Sequence, residues 1–243
     1  MQLLKIAIPV FLVVCFPHYA LAVDISGVKI EDSLSSAKIN ITKANSKFSL
    51  SPLKFSDGKE AGVVAVTADR LPSTSLADSG GPSDEFVALQ NDAEKIWFVA
   101  RVQRFTQGSR IKKETLVDSL KEKFGPPSSE EQLFTFNMKW EFDRNGKQYI
   151  GHPSKGPCFS IGYSGTDIPG TSVISPRSFS PSCGTLITVS AVTQQDGMVS
   201  TFKLGILDAK SMYDQLNEKG SQAEAEKKRK LQQEQSKNMQ PKI

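Results

Sequence analysis

The spacing of apolar side chains divides the chain into helical and extended stretches. Leu34, Ala37 and Ile41 recur at helical intervals, and Asp32 or Ser33 can cap a helix that runs to about Ala44. Ile30 is placed to close over its first turn. Asn40 and two β-branched isoleucines lower its intrinsic propensity, so this helix depends on packing. Residues 47–55 and 62–67 read as extended. Residues 71–83, rich in Ser, Pro and Gly, read as a surface loop. Strands are expected at 86–89 and 96–105; the second puts Trp97, Val99 and Arg101 opposite Phe98, Ala100 and Val102. A second helix spans about 112–124, with Val117, Leu120 and Phe124 on its stripe and Leu116 widening it. Gly125 and Pro126-Pro127 stop it.

Residues 130–142 alternate as a single strand, with Phe134, Phe136, Met138, Trp140 and Phe142 on the buried side. Asn145-Gly146 signals a hairpin with a return strand at 148–150. A loop region covers 151–182. Residues 185–192 and 199–207 form another hairpin around Asp196-Gly197. Asp208 opens a long final helix whose only apolar contacts come from Met212 and Leu216, and Gly220 interrupts it. The pattern predicts an α+β fold: antiparallel sheets, short packed helices and a long C-terminal helix.

The start of the chain adds a location. Met1 to Lys5 is a short basic opening, an apolar run follows to Phe16, and Ala20-Leu21-Ala22 offers a small-x-small cleavage site. That order reads as a secretory signal peptide, too short for a spanning helix of about 20 residues. Val13-Val14 before Cys15, where a small residue would be wanted, argue against lipid attachment there, and a lipoprotein is the weaker alternative. The expected organisation is a signal peptide at 1–22, a first helix-plus-sheet module at 23–107, a second module at 108–217 and a charged tail at 218–243, with a periplasmic or secreted destination. The formal charge is +4, or +3 without Lys5, too small an excess to argue for nucleic acid. The tail holds seven basic and four acidic side chains, densest at Lys227-Lys228-Arg229-Lys230. It permits at most a weak electrostatic contact with a membrane surface and lacks the large apolar residues that insertion needs.

Two cysteines remain after cleavage, Cys158 and Cys183, and in an oxidising compartment they read as one disulfide stapling the Gly- and Pro-rich loop. Motifs for chemistry are sparse. His152 is the last histidine, and no serine sits in a Gly-x-Ser-x-Gly elbow. Glu141 and Asp143 share a strand parity, as a glycosidase pair would, and equally as a solvated edge would. No phosphate cradle, metal-ligand spacing or cofactor motif is read. Arg101, Arg104, Phe105 and Arg110 combine cations with an aromatic ring and are candidates for contact with a partner protein. Arg101 and Arg104 have opposite strand parity and are expected to flank a solvated sheet edge.

A weak internal echo links Gly27-Val28-Lys29-Ile30 with Gly108-Ser109-Arg110-Ile111, each leading into a short helix and then extended segments. The second copy, with Lys123-Phe124-Gly125-Pro126-Pro127 closing its helix, resembles a module of small exported bacterial proteins. These are the outer-membrane assembly lipoproteins and the tandem-repeat proteinaceous inhibitors of β-lactamase. The resemblance implies a non-enzymatic protein whose sheet face or loops grip another protein. This chain departs from that pattern: it has no lipid-attachment motif, carries an extra disulfide loop, and lacks a Gly-Pro stop on its first helix. The leading expectation is therefore an exported binding or adaptor protein of the bacterial envelope, acting on another envelope or extracellular protein. The alternative is an envelope hydrolase using His152 or the carboxylates Glu141 and Asp143.

Overall fold

The computed structural model describes residues 23–68, 83–132, 135–163 and 167–236. The expected leader and nearly all of the expected surface loop at 71–83 lie outside the described residues. A small ribbon, β1 (Asp24–Ile25) and β2 (Val28–Lys29), precedes α1 (Leu34–Ala44). Then come β3 (Ser49–Lys54), β4 (Glu60–Val66), β5 (Ser83–Gln90) and β6 (Ile96–Arg104). The second half runs β7 (Ile111–Lys112), α2 (Lys113–Phe124), β8 (Ser129–Gln132), β9 (Phe136–Asp143), β10 (Gln148–Tyr149), β11 (Cys183–Thr193), β12 (Met198–Asp208) and α3 (Ala209–Ser236).

All strands after β2 join one antiparallel sheet, in the order β10-β9-β11-β12-β6-β5-β4-β3, with β8 also on β9 and β7 on β12. Each half of the chain contributes a helix followed by antiparallel strands: four after α1 (β3 to β6) and five after α2 (β8 to β12), the short β10 being the extra one. The last strands of the two halves, β6 and β12, pair at the centre, with Val99 opposite Ile206 and Arg101 opposite Leu204.

The two faces of this sheet are covered differently. One face presents Val63, Phe86, Val99, Ile206, Ile187, Met138 and Trp140 to α1 and α2. The helices answer with Leu34, Ala37 and Ile41, and with Leu116, Leu120 and Phe124. Ser33 caps α1 by accepting the Ser36 N–H at 3.2 Å. Gly125 ends α2 at φ +76°, where only glycine is unstrained, and its carbonyl accepts the Trp140 Nε1–H at 2.9 Å. On the other face Val64, Val87, Leu89, Phe98, Ala100, Val102 and Leu207 are covered by the loop at 151–182 and by the first turn of α3.

Several expectations are corrected. The stretch 130–142 is two strands, β8 and β9, folded back on each other with Ser129 opposite Lys139. Periodicity alone does not mark where one strand ends and the next begins, and Phe134, expected on the buried side, lies outside the described residues. α3 runs unbroken through Gly220, since one exposed glycine among strong helix formers costs about 1 kcal/mol and does not end a helix. Trp97 joins Phe98 in the cluster facing the loop, because a bulge opposite Leu89 and Gln90 shifts the start of β6.

Four hairpins, at 55–59, 91–95, 143–147 and 194–198, share one turn: the first N–H donates to the fifth carbonyl and the fourth N–H to the first. The fourth position has positive φ in each and is filled by Gly58, Glu94, Gly146 and Gly197. Glu94, at φ +58°, is the one with a side chain. Glu94→Gly is therefore expected to raise stability by about 0.5–1 kcal/mol, because relief of left-handed strain exceeds the added freedom of the unfolded chain. The urea midpoint measures it; an unchanged or lower midpoint would show that Glu94 is not strained.

Candidate binding groove

The disulfide between Cys158 and Cys183 is formed, and both residues are buried. It is one of several ties that hold the loop at 151–182 over the sheet. Glu141, 2% exposed, accepts the Cys158 N–H at 3.1 Å, and a Cβ on Gly156 would collide with its carboxylate. Ser180 and Ser182 donate their hydroxyls to the Pro157 carbonyl at 2.6 and 2.8 Å. Farther along, the Ser172 N–H and hydroxyl donate to Glu85 at 2.6 and 2.7 Å. Phe179 packs edge-on against Trp97, with ring centroids 5.6 Å apart. A loop with little regular structure is thus pinned at both ends and along its length.

The loop covers only part of the sheet face. Toward β9, β11 and β12 the outward positions become polar: Asn137 and Lys139, Thr188 and Ser190, and Lys203 beside Gly205. These side chains form the floor of a groove of about 460 Å³. Phe98, Ala100 and Val102 of β6 make one wall; Tyr163, Ser172, Val173 and Ile174 hang over it from the loop. Gly205 deepens the floor, where a Cβ would stand 3.1 Å from the Thr188 hydroxyl. Among the described residues neither Lys139 nor Lys203 has a carboxylate within ion-pair distance. Tyr163 keeps 37% of its surface exposed, yet burial pushes its phenol up to about 12. An apolar wall with a few convergent polar groups is the form ligand sites take.

A larger hollow of about 720 Å³ lies among Ser33, Asp57, Glu60, Asp92 and Lys219. Most of its charges are already matched: Lys38 with Glu60, Lys59 with Asp57 and Lys219 with Asp92, leaving Glu94. It is a gap between hairpin tips and α3, and the groove is the stronger site.

The residues singled out from sequence fall elsewhere. β6 is a central strand, not an edge, so Arg101 and Arg104 project to opposite faces of the sheet interior. Arg101 grips Asp84 with two hydrogen bonds, 2.9 and 2.6 Å, and donates to the Ser26 hydroxyl. Arg104 donates to Glu85 at 2.7 Å, to Ser83 at 3.1 Å and to Ser172 at 2.7 Å. Phe105 packs against the helix-covered core. Arg110 pairs with Asp196 through both terminal nitrogens; the Met198 N–H, and then Arg110, hold that carboxyl below its usual value.

Glu141 is buried beneath the loop, not on a solvated edge, and Asp143 accepts the Asn145 and Lys147 N–H groups within its own hairpin. His152 Nδ1 lies 2.7 Å from the Ser154 hydroxyl and also accepts the Ser154 N–H. Both residues are exposed, and this is the local cap of a single 3₁₀ turn, Pro153–Lys155. None of these three lines the groove. The groove was missed in sequence because its residues come from five strands and the loop; the signal was the regular polar alternation of Asn137 and Lys139 against Phe136, Met138 and Trp140.

No helix among the described residues is long and apolar enough to cross a membrane. Comparison with family models, curated proteins and solved structures gives no match to this chain.

Proposed function

We propose that this chain is an exported, non-enzymatic binding protein of the bacterial cell envelope that holds a segment of another protein in the groove between its stapled loop and the polar half of its sheet. The carrying observation is the groove itself, roofed by a loop that a disulfide, Glu141 and Ser172 fix in advance. A preformed roof lowers the ordering cost that binding must overcome. The disulfide supports a periplasmic or secreted setting. A helix followed by an antiparallel run of strands in both halves, with β10 extra in the second, supports the kinship with the helix-plus-sheet envelope modules that the sequence suggests. The hydrolase reading loses support because His152, Glu141 and Asp143 are occupied in separate structural contacts.

The test pairs the mature protein with Thr188→Trp, which fills the groove floor without touching the core behind it. Cross-linking in an envelope extract is expected to give one adduct with the mature protein and none with the variant, provided both show the same urea midpoint. An adduct that persists in Thr188→Trp, or no adduct from either protein, sinks this reading.

A further inference from the structure

Resting on the proposed groove as a protein-contact site, we infer that its occupant is an extended acidic peptide segment carrying an apolar side chain between its carboxylates. The charged groups that face the groove are few: Lys139 from β9, Lys203 from β12 and Glu131 from β8 at the rim. Arg101 also reaches the lining, but Asp84 neutralises it, and the neighbouring Arg104 is neutralised by Glu85. The loop brings a phenol and a hydroxyl but no charge, through Tyr163 and Ser172. The groove is therefore cationic by its two unmatched lysines.

Those lysines stand on strands separated by β11. Lys139 is opposite Thr188, and Lys203 is opposite Ser190 one rung along. Their backbones are roughly 10–12 Å apart by the spacing of strands and rungs. Long, flexible lysine arms span that gap to carboxylates two to four residues apart on an extended segment, whose same-side neighbours lie about 7 Å apart. Between the lysines, the Thr188 and Ser190 hydroxyls and the bare Gly205 leave room for main chain. Ile174, 44% exposed at the groove edge, meets an apolar side chain.

A small anion leaves most of about 460 Å³ unfilled. A nucleic acid would need aromatic platforms and a larger positive excess than two lysines against Glu131.

Two fluorescent synthetic peptides of about nine residues, roughly 30 Å extended, test this on the full mature chain: one alternating Asp with Val, the other Asn with Val. Anisotropy is expected to show the Asp peptide binding at least about tenfold more tightly, with high salt removing much of the difference. Lys139→Glu and Lys203→Glu are each expected to weaken the Asp peptide about tenfold while leaving the Asn peptide unchanged. Equal binding of the two peptides, binding of neither, or indifference to both charge reversals overturns the inference. So does equally potent displacement by a single-stranded oligonucleotide of the same charge. Thr188→Trp separates the two levels. If it abolishes binding of both peptides, which otherwise bind alike, the groove remains a contact site and only its acidic preference is lost. If it leaves the Asp peptide bound, contact lies elsewhere and the proposed function falls too.

Discussion

Replacing Cys158 and Cys183 together by alanine is expected to lower stability by about 3.5 kcal/mol. The bridge closes a loop over a sequence separation of 25 residues, and loop-closure entropy for that length gives this figure. The effect is larger than for most single substitutions because the bridge restricts the unfolded chain, whatever else holds the loop once folded. Among its described residues only the isolated bridges Gly162–Ser178 and Asp167–Ile174 give regular structure. Its apolar contribution to the face it covers is small: Ile168, Val173 and Phe179 against Trp97, Leu89 and Val102. Loss of the bridge should therefore show in two measurements. The urea midpoint falls, and the Trp97 emission moves to the red at low denaturant as Phe179 leaves its ring. Because Cys183 is fully buried and Cys158 nearly so, a reductant should have no effect until the chain unfolds. A loss below about 1 kcal/mol would mean that Glu141, Ser172 and the Pro157 contacts hold the loop unaided.

Local rules were legible in the sequence, and distant pairings were not. Ser33 before Leu34 marks the start of α1, and Gly125 before two prolines marks the end of α2, because caps and stops are chemistry within one turn. Cys158 and Cys183 could be matched because only two candidates remained. The strand β5 was read to begin at Phe86. Its true start is Ser83, since Asp84 and Glu85 look like loop residues until Arg101 and Arg104 are placed beside them on β6. The same omission made those arginines look available to a partner. Nothing local reveals that β6 and β12, about a hundred positions apart, lie side by side, and this pairing creates the groove. Lys203 and Val102 meet across it, although each reads in isolation as an ordinary strand position.

The ion pair between Arg104 and Glu85 supplies the second large effect. Glu85 is fully buried, and Arg104 has only 11% of its side chain exposed. Arg104→Met takes away from this buried carboxylate a cation that donates to it at 2.7 Å, while the Ser172 N–H and hydroxyl stay among its partners. The expected cost is about 3–5 kcal/mol, the range for removing one partner of a buried pair. The double variant Glu85→Leu, Arg104→Met is expected to lie within about 1–2 kcal/mol of the parent, since the desolvation of both charges disappears together. It also removes Arg104 Nε, a buried N–H with no partner among the described residues, whose burial costs about 1–3 kcal/mol. A double-mutant cycle by urea unfolding should therefore return a coupling above about 2 kcal/mol. Additive single effects would mean that the two charges are solvated in solution and that Ser172 docks on the sheet without them. Because Ser172 carries the loop over the groove wall, Arg104→Met should also weaken any occupant of the groove, and the charge-free double variant should not restore that contact. The pair would then act in two separable ways: its charge balance sets stability, and its hydrogen bonds to Ser172 position the roof.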